Sequence, residues 1–106
     1  MFLRPREIVF MYARVTPYKM KPGSMAAGTK ILNGLKEKVM ALPGQQTFLN
    51  VMDDKTGKGY VISTTDIAEP TPETAEKIKG LWSAFSEYLE DQPSGETYTV
   101  VSHWKN

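Results

Sequence analysis

Residues Leu42–Asp66 read "LPGQQTFLNVMDDKTGKGYVISTTD", and the fold turns on how that stretch is divided. Pro43-Gly44 is a helix stop, because proline cannot continue a helix and glycine readily takes the left-handed conformation that ends one. "TFLNVMD" and "GYVISTTD" are short runs of period-two character, and "DKTG" lies between them. Asp54 can start a turn there and Gly57 can take positive φ, so the stretch is predicted to be a β-hairpin. Its strand residues are apolar on both faces, which raises the question of what covers the second face.

Upstream, Ile8–Met20 ("IVFMYARVTPYKM") is rich in β-branched and aromatic residues and reads as a long first strand. Pro17 has no N–H to donate, which puts that strand at an edge or makes it bulge there. Pro22-Gly23 is a turn signal, and Ser24 can cap a helix. The helix is predicted over Met25–Leu42, with Gly28, Ile31, Leu32, Leu35, Val39 and Leu42 on one side and Lys30, Asn33, Lys36, Glu37 and Lys38 on the other. Gly28 and Gly34 each cost it about 1 kcal/mol relative to alanine, so packing must hold it.

Downstream, "AEPTPE" is a linker, and Thr71 or Thr74 can cap a second helix with Pro72 in its first turn. Ile78, Leu81, Trp82, Phe85, Tyr88 and Leu89 form its apolar stripe, "DQPSGE" ends it, and "TYTVVSHW" is a last strand. Strand, helix, strand, strand, helix, strand is the ferredoxin-like split βαβ order. It predicts an α+β fold: a four-stranded antiparallel sheet with both helices on one face. The chain of 106 residues is read as a single domain, with residues 1–7 a loose N-terminal extension.

Two helices cover one face of such a sheet. Yet Met11, Ala13 and Val15 oppose Phe10, Tyr12, Arg14, Thr16 and Tyr18 in the first strand, and Leu49 and Val51 oppose Phe48, Asn50 and Met52 in the second. In the last, Val101 and His103 oppose Tyr98, Val100 and Trp104. A solvated face would alternate cleanly with polar residues. A second sheet is therefore expected over it, and a twofold homodimer is the simplest way to supply one.

Composition bounds the function. The net charge of +1 gives no electrostatic footprint for nucleic acid or an anionic membrane. The absence of cysteine excludes a disulfide, a thiolate metal site and a cysteine nucleophile, and fits a cytoplasmic location. No apolar run approaches the roughly 20 residues of a membrane span. Arg4, Pro5, Arg6 and Glu7 interrupt any secretory signal. No Walker loop, paired-His metal spacing or nucleophile elbow is present.

"MYARVTPYKMKPGS", the Pro43-Gly44 stop and the "TGKG" hairpin at Thr56–Gly59 together resemble the antibiotic-biosynthesis-monooxygenase-like family, over about Met11 to Trp104. The resemblance implies a dimeric α+β barrel, in which two ferredoxin-like units pair sheet to sheet with the helices outside. Its members include cofactor-independent oxygenases of quinols and polyketides, haem-degrading enzymes and proteins of unknown activity. The haem-degrading branch uses an Asn in the first strand, a Trp at the end of the third and a His in the second helix. Thr16 and Thr65 stand at the first two places here, and "ETAEKIKGLWSAFSEYLE" has no His, so haem cleavage is not expected.

The resemblance also implies a pocket between sheet and helices, with Arg14, Thr16 and Tyr18 and Val61, Ser63 and Thr65 turned toward the helices and Trp82 and Phe85 as its roof. Three residue types there could carry chemistry. Arg14 could meet an enolate or phenolate oxygen through charge-assisted hydrogen bonds, or form a structural ion pair. Tyr18 could donate to an aromatic substrate, or simply pack. His103, the single histidine, could be a base because imidazole titrates near neutrality, or lie exposed. Asp53 and Asp54 are explained by turn chemistry, and Met11, Met20, Met25, Met40 and Met52 suggest an adaptable core.

RNA-recognition domains share the strand order, but their third strand needs base-stacking aromatics. Lys58-Gly59-Tyr60 begins that pattern, and Ile62 and Thr65 break it. Two classes remain. One is a cofactor-independent monooxygenase-like enzyme of a small aromatic, quinol or polyketide-type substrate; the other is a non-catalytic dimeric ligand-binding or structural domain. A cavity with convergent polar groups would favour the first, and a filled core behind the helices the second.

Overall fold

The computed structural model describes residues 11–106; the expectations for the N-terminal extension and the start of the first strand lie outside the described residues. Strand β1 (Tyr12–Lys19) leads into helices α1 (Met25–Gly34) and α2 (Lys36–Met40), the hairpin β2 (Gln45–Met52) and β3 (Lys58–Thr65), helix α3 (Pro72–Ser83) and strand β4 (Glu96–Thr99). The sheet has the order β2-β3-β1-β4, antiparallel at each pairing, which is the ferredoxin-like arrangement.

The hairpin closes through local chemistry. Gly57 N–H bonds the Asp53 carbonyl at 2.8 Å, Asp53 Oδ1 accepts from Lys55 N–H at 2.9 Å, and Gly57 has φ +82°. Asp54 does more than turn the chain. Its Oδ1 accepts from Met25 N–H at 3.0 Å, and its carbonyl from Gly23 N–H at 2.9 Å. The cap of α1 is therefore supplied from the hairpin. Ser24 occupies the N-cap position, but its hydroxyl donates to the Lys21 carbonyl at 2.6 Å and makes no cap bond.

The predicted Met25–Leu42 helix is two helices. After Gly34, Leu35 takes φ −105°, ψ 1°, its N–H bonds back three residues to Leu32, and Val39 N–H restarts the ladder on Leu35. This break at the weakest helix former turns α2 so that buried Val39 packs at the β2 end of the sheet. In α3, Thr71 rather than Thr74 is the cap, its Oγ1 accepting from Thr74 N–H at 3.2 Å. That helix stops at Ser83, and the rest of its apolar stripe continues as turns through Leu89. Those turns lie along β1: Lys21 N–H reaches the Tyr88 carbonyl at 2.8 Å, and Glu90 N–H the Lys19 carbonyl at 2.9 Å.

Pro17 fits this arrangement. Met20 bonds toward Gly57, whereas Lys19 and Lys21 bond toward Tyr88–Glu90. By alternation, Pro17's nitrogen faces the β4 side, where pairing has already ended at Val15–Glu96. The strand is central yet has a local free edge at its proline. The last strand is shorter than predicted. Val100 N–H reaches Met11's carbonyl at 2.8 Å, and residues 101–106 then have no strand partner among the described residues, leaving Val101 and Trp104 about nine-tenths exposed.

The buried cluster is Tyr18, Met20 and Phe85, flanked by Ile31, Leu32, Leu35, Met52, Val61 and Trp82. Of the methionines expected there, Met20 and Met52 belong, while Met25 and Met40 are exposed. The cluster sits beside the Gly57 turn. A Cβ at Gly57 would fall on the Met20 carbonyl, whereas one at Gly23 (φ +83°) would meet nothing within 4 Å. Gly23→Ala is expected to cost about 1–2 kcal/mol, the left-handed penalty alone. Gly57→Ala is expected to lower the urea midpoint distinctly further, because the penalty is joined by a backbone collision.

Candidate functional site

Pleating sends Arg14, Thr16 and Tyr18 of β1 to the same side as Phe48 and Asn50 of β2, Val61, Ser63 and Thr65 of β3, and Thr97 of β4. These residues floor a cavity of about 280 Å³ beneath the helices. Leu32, Leu35 and Val39 wall it from α1 and α2, and Ile78, Leu81 and Trp82 from α3. Phe85 is buried at its edge, tilted against Trp82 with ring centroids 6.2 Å apart. The two rings therefore close one end of the space and leave the rest open.

Tyr18 is the most constrained polar group. Its ring lies on Gly59, where a Cβ would collide with the phenol carbon and with Val51's carbonyl, and Trp82 packs against it at 5.7 Å between centroids. Its hydroxyl donates to Asn50 Oδ1 at 2.6 Å, with Val51's carbonyl at 3.3 Å. Burial pushes the hydroxyl above the ordinary tyrosine value of 10.0, partly offset by the Asn50 hydrogen bond. Gln45 Nε2 donates to Ser63 Oγ at 3.3 Å across β2 and β3.

Arg14 lies at the other end, half-buried. Its Nη1 donates to Thr97 Oγ1 at 3.3 Å, and no carboxylate among the described residues forms an ion pair with it. The backbone at Gly95 runs close above it: a Cβ there would lie 2.5 Å from Thr16 Oγ1 and 2.9 Å from Arg14 Nε. On the far side of Arg14 is a shallower, more polar cleft lined by Tyr12, Glu69, Gly95 and Thr99. Arg14 thus stands between an apolar chamber and a polar cleft, held by a hydroxyl and a close backbone, with no countercharge among the described residues.

Arg14, Thr16, Tyr18, Ser63, Thr65, Trp82 and Phe85 all line the one chamber. His103 does not: it is exposed in the segment after β4, away from the other candidates. The polar lining residues missed by sequence reading include Asn50, Gln45 and Thr97 from the sheet and Glu73 and Lys77 from α3. Asn50 carried a readable signal, being a polar residue between Phe48 and Met52 on the helix-facing side of its strand. Among the described residues no three His, Asp or Glu side chains cluster as metal ligands would.

No protein-family model matches the chain, and no curated protein matches it. Solved structures do. A protein from Bordetella bronchiseptica named for antibiotic biosynthesis monooxygenases superposes with a TM-score of 0.68 at 10% identity, covering 88% of this chain and 99% of its own. A counterpart of that name from Caulobacter crescentus gives 0.63 at 18% identity, covering 88% and 92%. A monooxygenase from the ActVA-Orf6 gene of Streptomyces coelicolor, solved with the ligand nanaomycin D, gives 0.63 at 14% identity, covering 92% and 93%. The chain has the antibiotic-biosynthesis-monooxygenase-like α+β fold; at these identities the likeness is one of fold.

The constrained phenol has a pH signature. A hydroxyl raised in the folded state stabilises the fold below the unfolded value near 10 and loses that contribution as pH rises through the folded value. Burial raises Tyr18 and the Glu96 hydrogen bond raises exposed Tyr98, so absorbance titration of the native protein should show tyrosine ionisation above pH 10 whose amplitude falls in Tyr18→Phe while the Tyr98 part remains. A Tyr18→Phe curve superimposable on the parent's would contradict the packing described.

Proposed function

We propose that the protein is a cofactor-independent monooxygenase-like enzyme acting on a small aromatic, quinol or polyketide-type substrate held between sheet and helices. The observation that carries this reading is the chamber: about 280 Å³, apolar-walled, and met by Arg14 and a fixed tyrosine instead of being filled by Trp82 and Phe85. Its volume is near the lower end for small-molecule sites, about 300 Å³. The Streptomyces neighbour of the same fold was solved with nanaomycin D, which supports the substrate class.

Without a redox group, the electrons must come from the substrate. In an anthrone-type substrate the ring methylene gives up both hydrogens and takes one atom of dioxygen as a carbonyl. The other oxygen atom leaves with those hydrogens as water, so the substrate supplies every electron that reduces dioxygen. The protein's part is to favour the substrate anion and keep water from it. In this proposal Arg14 stabilises the developing enolate or phenolate oxygen. Arg14 and Tyr18 are four residues apart on one strand, about 13 Å at the backbone, which suits a multi-ring substrate. A second reading, a non-catalytic ligand-binding domain, is favoured by the pairing of Gln45 with Ser63 and of Tyr18 with Asn50.

The same proposal includes a homodimer formed sheet to sheet. The face away from the helices carries Val15, Ile62, Leu49, Val51 and Tyr60, and the last three are 55%, 42% and 50% exposed. Register places Leu49, Ile62 and Val15 in one row and Val51, Tyr60 and Pro17 in the next. Two such faces would bury more than about 1,200 Å² in total, the size of stable interfaces.

Oxygen uptake with a panel of quinols and anthrone-type polyketides tests the chemistry. The parent should consume oxygen with at least one of them, and Arg14→Met should lose on the order of a hundredfold in turnover. Full turnover by Arg14→Met would remove the role given to it, and no uptake with any substrate would favour the binding-domain reading. For the assembly, light scattering at micromolar concentration should give twice the chain mass for the parent and the chain mass for Val51→Lys. A monomeric parent would sink the dimer.

A further inference from the structure

The hydroxyl of Tyr18 has one proton, and both of its neighbours, Asn50 Oδ1 at 2.6 Å and the Val51 carbonyl at 3.3 Å, are acceptors. Nothing remains for it to donate to a ligand. Nor can the ring turn to find another partner, because Gly59 lies against one side and Trp82 against it from above. The consequence falls on Asn50. With Oδ1 held by the phenol, the amide nitrogen is on the opposite branch of the carboxamide and carries two N–H donors. Asn50 is exposed and lines the chamber, and no acceptor among the described residues takes those donors.

We infer that Asn50 is the donor through which the chamber recognises a carbonyl or phenolate oxygen of its ligand, and that Tyr18 is a positioning residue that fixes the Asn50 carboxamide for it. This rests on the proposed reading of the chamber as a small-molecule site, and it replaces direct donation by Tyr18. It also defines the ligand further. Arg14 is on β1 and Asn50 on β2, with β3 between them and one residue pair of offset along the strands. Strand spacing and rise put their backbones about 12 Å apart. The matching ligand is a flat apolar body bearing an oxygen function at each end, one suited to a cation and one to a neutral amide.

Binding to the full chain tests this without requiring turnover. The probes are 1-tetralone, a two-ring ketone, and tetralin, the same body without oxygen. Titration followed by ¹⁵N–¹H correlation spectra should move the Asn50 side-chain amide pair with 1-tetralone and leave it in place with tetralin. Asn50→Ala should weaken 1-tetralone binding about three- to tenfold, the span of one neutral hydrogen bond, and leave tetralin unaffected. Tyr18→Phe should weaken it similarly, and Tyr18→Phe added to Asn50→Ala should do nothing more, which a merely structural tyrosine would not reproduce. Asn50 is exposed, so its variants test the idea even if Tyr18→Phe folds poorly. Equal affinity for the two probes, a stationary Asn50 amide, or no binding of either would overturn the assignment. Tetralone binding through Asn50 with no oxygen uptake on any substrate would instead overturn the oxygenase reading and leave this one standing.

Discussion

The contact of Tyr18 with Gly59 is the constraint on which the rest of the molecule depends. A Cβ at residue 59 would occupy the space of the phenol ring, so the ring lies against the neighbouring strand instead of standing off it. From that position it joins Met20 and Phe85 in the buried cluster, gives Trp82 a surface to tilt against, and brings its hydroxyl to Asn50 two strands away. The same side chain is therefore core at one edge and chamber floor at the other. The boundary between packed and open space falls at Tyr18 because beyond it the floor residues shrink to Thr16, Ser63 and Thr65. Hydroxyl side chains under Leu81 and Ile78 leave volume that leucines would have filled.

The sheet divides its two faces between two tasks. On the helix side, polar residues of several strands converge under an apolar roof, an expensive arrangement unless each polar group has a partner or a ligand. Ser63 has Gln45, Tyr18 has Asn50 and Arg14 has Thr97. On the other side, Leu49, Val51 and Tyr60 stand half-exposed, with Glu96 and the Thr47–Thr64 pair at the margins of that apolar patch. The two faces differ in kind: the first gathers polar groups under an apolar roof and the second presents exposed apolar side chains. Val15 and Arg14 are adjacent in sequence yet belong to opposite tasks, which is the ordinary consequence of a period of two.

What the sequence made legible was whatever depends on local backbone chemistry. Pro22-Gly23, Pro43-Gly44 and Thr56–Gly59 each demand a turn, and the helix-facing parity of Arg14, Thr16 and Tyr18 follows from alternation once a strand is assumed. What it did not reveal depends on partners distant in the chain. The cap of α1 comes from Asp54, 29 residues beyond Met25. The break at Leu35 combines a weak position, Gly34, with the direction α2 must take to bury Val39, and only the first of these is local. The last strand reads as continuing to Trp104 because its residues favour strand, but a strand ends where its partner does. Asn50 was visible as a polar residue on an inward face. Its meaning required knowing that Tyr18 crosses β3 to reach it.

The same distinction explains how the fold can match structures at 10% to 18% identity. Turns that require positive φ, and glycines against which another chain segment lies, restrict the backbone strongly and specify little chemistry. Gly57 against Met20 and Gly59 against Tyr18 are of this sort. The floor positions are under a looser demand: any side chain that is small or finds a hydrogen-bond partner will leave the sheet intact. Thr16, Ser63 and Thr65 could exchange for other residues of similar size without moving a strand. Arg14 and the Tyr18–Asn50 pair are held more tightly, the first by Gly95 and Thr97 and the second by Gly59 and Trp82. Function is therefore best sought where side-chain position is over-determined although the fold does not require the side chain's chemistry, and in this molecule that condition selects Arg14 and Asn50.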